Sequence, residues 1–359
     1  MRALVDAEEL ANATQHVTGV IDRKQSANKM LRMDFNPPDQ LVLTTGGVSG
    51  WSKTMVNGDV LSAGQIVVNG LWLSALTSVL SAGEVDVDFN AKEHQLLLSA
   101  GNTKLSMAVM READIMPWPV LPERLYPLTA GSLSRLVSGV VHAAGHPGKD
   151  TPPVLTAIHL LGDGSKLTVQ TTDRYRMAQN SINNCEWQGD VLVSAEWLKR
   201  VSVQAVQFGV TDRVIEIVGE RTVDVFPLIA GTYPNLESKL HPTTDASWII
   251  QTDRSSLLGA VKRLKTIDMF QKDTPVKLSS TRDGLTIALN GADLQGDEQL
   301  AASVEGGSQP LRLNASYLID ALSALENDTV CIRVQNPKQP IQIKGSEDDP
   351  VQIIMPMRL

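Results

Sequence analysis

The chain has 359 residues, a formal net charge of −8, 42% hydrophobic residues and 4% aromatics. That balance excludes a protein that coats nucleic acid over its whole surface and a base-stacking platform for single strands. No apolar run approaches the roughly 18 residues needed to span a membrane, and Cys185 and Cys331 each lack a second cysteine at metal-binding spacing.

From the start, MRALVDAEEL offers no basic stretch followed by an apolar one, so no signal peptide is expected. A reduced, cytoplasmic protein is the expectation. Asp6 then opens a helix whose buried face begins at Leu10, four residues on. The same arrangement returns at Thr129 with Leu133 and at Asp253 with Leu257. A second helix start follows the same period. Asn69, Ser194 and Asn314 each end an apolar strand and supply a side-chain oxygen to free helix N–H groups. Three residues after each cap stands an aromatic–Leu pair, Trp72–Leu73, Trp197–Leu198 and Tyr317–Leu318, expected to start the buried face. A third recurring element is a strand after a turn: Pro38 to Thr45, Gly164 to Thr172 and Arg282 to Leu289.

Three elements recurring in one order are the mark of an internal repeat. The spacing predicts three domains, 1–122, 123–244 and 245–359, each with two helices on antiparallel strands, an α+β fold. Glu84 to Phe89 and Val214 to Gly219 alternate apolar and polar residues as half-buried strands do. Gly162 to Leu167, GDGSKL, reads as a hairpin turn. The terminal IIMPMRL is apolar almost to its last residue, where most chain ends turn polar. It reads as a final strand followed by a lip of Met355, Pro356, Met357 and Leu359 that serves a partner, or else as a strand end tucked into its own core.

Candidate chemistry is sparse. GHPGKD, Gly145 to Asp150, lacks the first glycine and the Ser/Thr of a phosphate loop and follows a helix rather than a strand. His142 and His146 stand four apart, but Gly145 and Pro147 break the helix that would align them. Neither metal nor cofactor is expected. TTDRYRMA, Thr171 to Ala178, is the one dense polar run inside a strand pattern. Asp173 there could act as a base with Arg174 or Arg176 as electrostatic support. The favoured reading is an Asp paired with a nearby Arg at the end of a buried strand. Basic residues gather on the predicted helices: Arg135, Lys199, Arg200, Lys262, Arg263 and Lys265, with Arg23 and Lys24 just past the first helix.

These residues resemble a known family, the bacterial DNA polymerase III β subunits, or replicative sliding clamps. TTDRYRMA is similar to the family's Thr-Asp-Gly/Arg-aromatic/His-Arg-Leu-Ala motif. LNASYLIDAL, GTYPNL (Gly231 to Leu236) and the ending MPMRL resemble three further family segments, and the likeness runs along the chain in order. PPVLTAI followed by TTDRYR is similar to actinobacterial members, and the divergence of the first domain to phage or secondary clamps. Met177 stands where the family has Leu, and His241 where it has Pro, with Pro242 one residue later.

The resemblance implies a non-catalytic processivity factor. Two chains would close head to tail into a ring, with helices lining the hole and sheets outside. Arg23, Lys24, Arg135, Lys149, Lys199, Arg200, Lys262 and Lys265 would face duplex DNA, touching phosphates without reading sequence. Replicative polymerase, clamp loader and repair proteins would place short apolar peptides in a cleft. Its walls would be Leu155, Thr172, Arg174, Tyr175, Arg176, Met177 and Pro242, with Asn314, Tyr317, Ile353, Ile354, Met355, Pro356, Met357 and Arg358 from the third domain. The place of action would be the nucleoid within the cytoplasm. The ring would close where the strand Lys104 to Met110 of one chain meets Val276 to Ser280 of the other. An enzyme using Asp173 with Arg176, and a monomeric adaptor using the C-terminal lip alone, are the other two classes that the residues leave open.

Overall fold

Helix starts are decided locally in this chain. The computed structural model describes residues 1–21, 29–110, 115–236, 246–267, 273–281, 284–290, 295–306 and 310–357. Six α-helices lie among them: α1 (Ala7–Thr18), α2 (Gly70–Thr77), α3 (Ser132–Ser138), α4 (Ala195–Val201), α5 (Arg254–Ile267) and α6 (Ala315–Ser323). Asp6 caps α1 by accepting from the Glu9 amide at 2.9 Å, and Asn69 caps α2 by accepting from Trp72 at 3.2 Å. Asp253 accepts from the Ser256 amide at 2.7 Å at the start of α5, and Asn314 from the Ser316 amide at 2.9 Å at the start of α6. Each bond satisfies a donor that the first helical turn leaves free. Hydrogen bonds from the Ser256 and Ser255 side chains, followed by the Ser256 amide, hold the Asp253 carboxyl down at about 2. Thr129 takes no such place, because α3 opens only at Ser132, past the positive φ of Gly131.

Contacts divide the chain into two compact units, Met1–Gly131 with Arg200–Leu228, and Ser132–Lys199 with Ile229–Leu359. The first holds a sheet of twelve strands. Its path runs 103–108, 95–100, 84–90, 2–6, 50–62, 222–227, 214–219, 205–210 and 126–127, with 30–36, 40–47 and 64–69 branching from it. Helix α1 lays Leu10, Ala13 and Val17 against this sheet, and α2 adds Leu73. Trp72 corrects the expectation for the aromatic–Leu pairs. It is 63% exposed while Leu73 is fully buried, since neighbours on a helix are turned by about 100° and only one of them can face the core.

The second unit holds a nine-stranded and a four-stranded sheet. The larger runs 188–194, 157–163, 166–172, 176–183, 351–354, 341–344, 329–334, 248–253 and 302–306. The turn between 157–163 and 166–172 is the expected hairpin, tied by Asp163, whose Oδ1 accepts from the amides of Ser165 and Lys166 at 2.8 Å each. The smaller sheet runs 295–300, 284–290, 275–281 and 311–314. Leu257, Val261 and Leu264 of α5 and Leu318 and Leu322 of α6 fill the core beside it. This order overturns the expected pairing of Val276 to Ser280 with another chain. That strand already has 284–290 on one side and 311–314 on the other, so both ladders are used. Among the described residues, the small sheet has its edges at Gln295–Leu300 and Leu311–Asn314, and one edge of the twelve-stranded sheet lies at Thr103–Ala108.

Candidate functional site

The run TTDRYR forms the turn between strands 166–172 and 176–183 in the second unit. Asp173 organises it. Its Oδ1 accepts from the Tyr175 and Arg176 amides at 2.9 and 3.0 Å, and its Oδ2 accepts from Arg176 Nε at 2.9 Å. Thr172 Oγ1 accepts from the Arg174 amide at 3.0 Å and donates to the Arg176 carbonyl at 2.7 Å. Arg174 sits at φ 82°, a conformation that leaves its side chain exposed at the tip.

Arg176 is buried. Besides Asp173 it donates from Nη1 to Asp320 of α6 at 2.6 Å, and its guanidinium lies 4.3 Å from the ring centroid of Tyr317. The two α6 residues are three apart, hence on one helix face. That spacing is the signal by which Asp320, absent from the sequence-based set, could have been found. Asp173 accepts hydrogen bonds from two amides of its own turn and from the Arg176 side chain, and the favoured reading of a paired Asp and Arg describes this turn.

The C-terminal strand Val351–Ile354 lies beside 176–183, with Met177 opposite Ile353 and Arg176 opposite Ile354. Ile353 and Ile354 are buried and Met355 is 38% exposed. The chain then leaves the ladder. The Met355 amide donates to the Tyr175 carbonyl at 2.8 Å, Pro356 has no amide hydrogen to offer, and the Met357 amide donates to the Arg312 carbonyl at 2.9 Å. The two readings of this end thus apply to different residues: Ile353 and Ile354 belong to the core, and Met355 to the surface. Met177, Ile353, Leu192, Ala157, Tyr233 and Leu236 form one apolar cluster with Val154 packed against it. Burial pushes the Tyr233 hydroxyl well above its ordinary pKa. Leu155 and Thr172 are buried, while Tyr175 is 63% exposed. Asn314 is spent on capping α6 and on the Asp273 carboxylate, to which it donates at 2.9 Å. Pro242, Arg358 and Leu359 lie outside the described residues, as do Arg23, Lys24 and His241.

A polar link missed in the sequence supports this end from behind. Gln352 Nε2 donates to the Gly139 carbonyl at 2.9 Å, and Gln352 Oε1 lies 3.0 Å from His142 Nε2. Burial, followed by the nearby Arg176 charge, lowers the His142 pKa from 6.5 to about 4. The His142 ring is therefore neutral at pH 7 and Nε2 carries the proton that Gln352 accepts.

The basic residues divide. Arg135, Lys149, Lys199 and Lys262 are exposed. Lys265 donates to Ser316 Oγ at 2.6 Å, and Arg263 is paired with Glu298. Arg200 is turned inward, donating to the His16 carbonyl at the C-terminal end of α1, where the helix dipole favours a cation. Among the described residues, no cluster of three or more His, Cys, Asp or Glu could hold a metal, and no helix is long and apolar enough to cross a membrane.

Residues 239–358 match the family model for the C-terminal domain of the DNA polymerase III beta subunit. The match agrees with an ordered likeness along the rest of the chain to proteins named "Beta sliding clamp". One from Streptomyces coelicolor is 24% identical over 89% of each chain. Another from Staphylococcus aureus is 25% identical over 85% of this chain and 84% of the relative. Residues 239–358 are thus similar to the C-terminal domain of that subunit, and the chain as a whole is similar to bacterial proteins named beta sliding clamp. Its fold is the clamp fold: the DNA polymerase III subunit beta of Pseudomonas aeruginosa superposes with a TM-score of 0.87 over all of both chains at 21% identity. A sliding clamp from the same organism, bound to griselimycin, gives 0.88 at 20% identity, again over all of both chains.

Proposed function

We propose that this chain acts as a DNA sliding clamp: two copies close into a ring around duplex DNA and hold replication proteins by short apolar peptides. The three repeats 1–122, 123–244 and 245–359 are its building units, and two helices in each support that division. The ring closes where the edge strand Thr103–Ala108 of one copy meets the edge strand Gln295–Leu300 of the other. Terminal units of a repeat array leave such edges to be covered, and a heterologous contact of this kind closes after two copies. Arg135, Lys149, Lys199, Lys262 and Lys265 meet the phosphates. Weak, salt-sensitive contacts suffice there, because topology prevents escape. The site of action is the cytoplasm.

The observation that carries the tethering role is the paired exposure of Tyr175 and Met355 over an apolar floor of Met177 and Ile353. Met is unbranched and repacks around different anchors. In this reading Leu155, Thr172, Tyr317, Ile354, Pro356 and Met357 complete the cleft, and Arg174, which is exposed, is the cation for a peptide carboxylate or carbonyl. Arg176, expected among the cleft walls, is committed to Asp173 and Asp320. Solution mass, combined with retention on circular and on linearised DNA, tests the ring. A mass of two chains and retention at raised salt only while the circle is intact are expected. A monomer at micromolar concentration, or tight sequence-specific binding to a linear fragment, refutes the proposal.

A further inference from the structure

A cavity of about 380 Å3 opens in the first unit, between α1 and the strands 50–62 and 222–227, and has no part in the cleft described above. Its volume is within the range of small-ligand sites. Ala13, Met55, Ala205 and Val203 supply an apolar lining, and Val203 is 67% exposed although it faces this hollow. One wall is rigid. Asp224, 1% exposed, accepts from Ser52 Oγ at 2.6 Å and lies 2.9 Å from His16 Nε2, tying α1 to both strands. Beside that wall Thr54 lines the cavity. It is 6% exposed, and its Oγ1 has no hydrogen-bond partner. A buried hydroxyl left unpaired costs free energy that a ligand's polar atom would recover.

The rim sets the sign of the ligand. Arg221 is neutralised by Glu9 at 2.7 Å, while Glu220 is exposed and makes no ion pair among the described residues. A negative charge therefore stands free at the mouth of an apolar hollow with an unpaired hydroxyl buried in its wall. We propose that this cavity binds small amphipathic amines: an aromatic or aliphatic body against Met55 and Val203, a polar atom on Thr54 Oγ1, and an ammonium group beside Glu220. The proposal is independent of the clamp reading.

Tryptamine and indole-3-acetate share a ring and differ in charge. Each is titrated into the full chain labelled with 13C at the methionine methyls, the Met55 signal being assigned by Met55→Leu. Met177 and Met355 report on the other site in the same spectra. Tryptamine is expected to shift Met55 in the millimolar range, with indole-3-acetate weaker by roughly tenfold. Thr54→Val, nearly equal in volume, should weaken tryptamine binding while leaving the other methionine signals in place. Glu220→Gln should narrow the gap between the two probes. No shift of Met55, equal affinity for both probes, an unaltered Thr54→Val variant, or shifts confined to Met177 and Met355 would each overturn the proposal. The last of these would leave the peptide cleft standing.

Discussion

Replacing Arg176 by Met keeps much of the side chain's length and removes its charge. The structure shows three losses of different size. The bond to Asp173 is the largest, because that carboxylate is only 16% exposed and remains behind unpaired at its Oδ2. A hydrogen bond to a charged group at such a site contributes about 2 kcal/mol. The Asp320 contact is shorter, at 2.6 Å, but its carboxylate is 41% exposed, so solvent screening reduces it to roughly 0.5 kcal/mol. Stacking on Tyr317 adds about 1 kcal/mol. The variant should therefore be less stable by about 3.5 kcal/mol, a fall of roughly 7–14 °C in melting temperature for a unit of this size. Urea unfolding of Arg176→Met, Asp173→Asn, Asp320→Asn and the two double variants measures the couplings. The Arg176–Asp173 coupling should exceed the Arg176–Asp320 coupling by at least about 1 kcal/mol. A loss below about 0.5 kcal/mol, or the larger coupling at Asp320, would refute the assignment of Asp173 as the organiser of the turn.

The neutral His142 should make stability depend on pH. Its folded pKa is lowered from 6.5 to about 4 by burial, so the unfolded chain binds the proton more readily. The contribution is complete above pH 6.5, declines as pH falls and levels off near 4; about 2 kcal/mol should go between pH 7 and 5. Urea midpoints for wild type and His142→Gln check this, and equal slopes for the two would contradict it. Deleting Pro356 to Leu359 removes the lip but not the ladder of Val351–Ile354. The truncated protein should still form a dimer while losing a clamp-binding peptide in isothermal titration, and an unchanged affinity would place the partner site elsewhere. Tyr175→Ala should weaken that peptide by roughly tenfold, the worth of about 1.4 kcal/mol, with no change in melting temperature, since the ring is 63% exposed.

Much of the site was legible because its chemistry is local. Asp173, Thr172 and the amides of Tyr175 and Arg176 lie within five residues, and an Asx-type turn forms from such a run wherever it occurs. The caps at Asp6, Asn69, Asp253 and Asn314 and the inward Leu residues recur for the same reason: a first helical turn needs acceptors, and a 3.6-residue period selects a face. The sequence alone therefore determined the elements, their repetition and the paired Asp and Arg. Tertiary structure decided which strands became edges. Val276 to Ser280 and Gln295 to Leu300 carry no local mark that distinguishes a central strand from an outer one, because neighbours are assigned by distant segments such as 311–314. It also joined Arg176 to Asp320, 144 residues away, and His142 to Gln352, 210 residues away. A buried charge or imidazole must find a partner, but the chain path, not the residue type, determines which groups come within 3 Å.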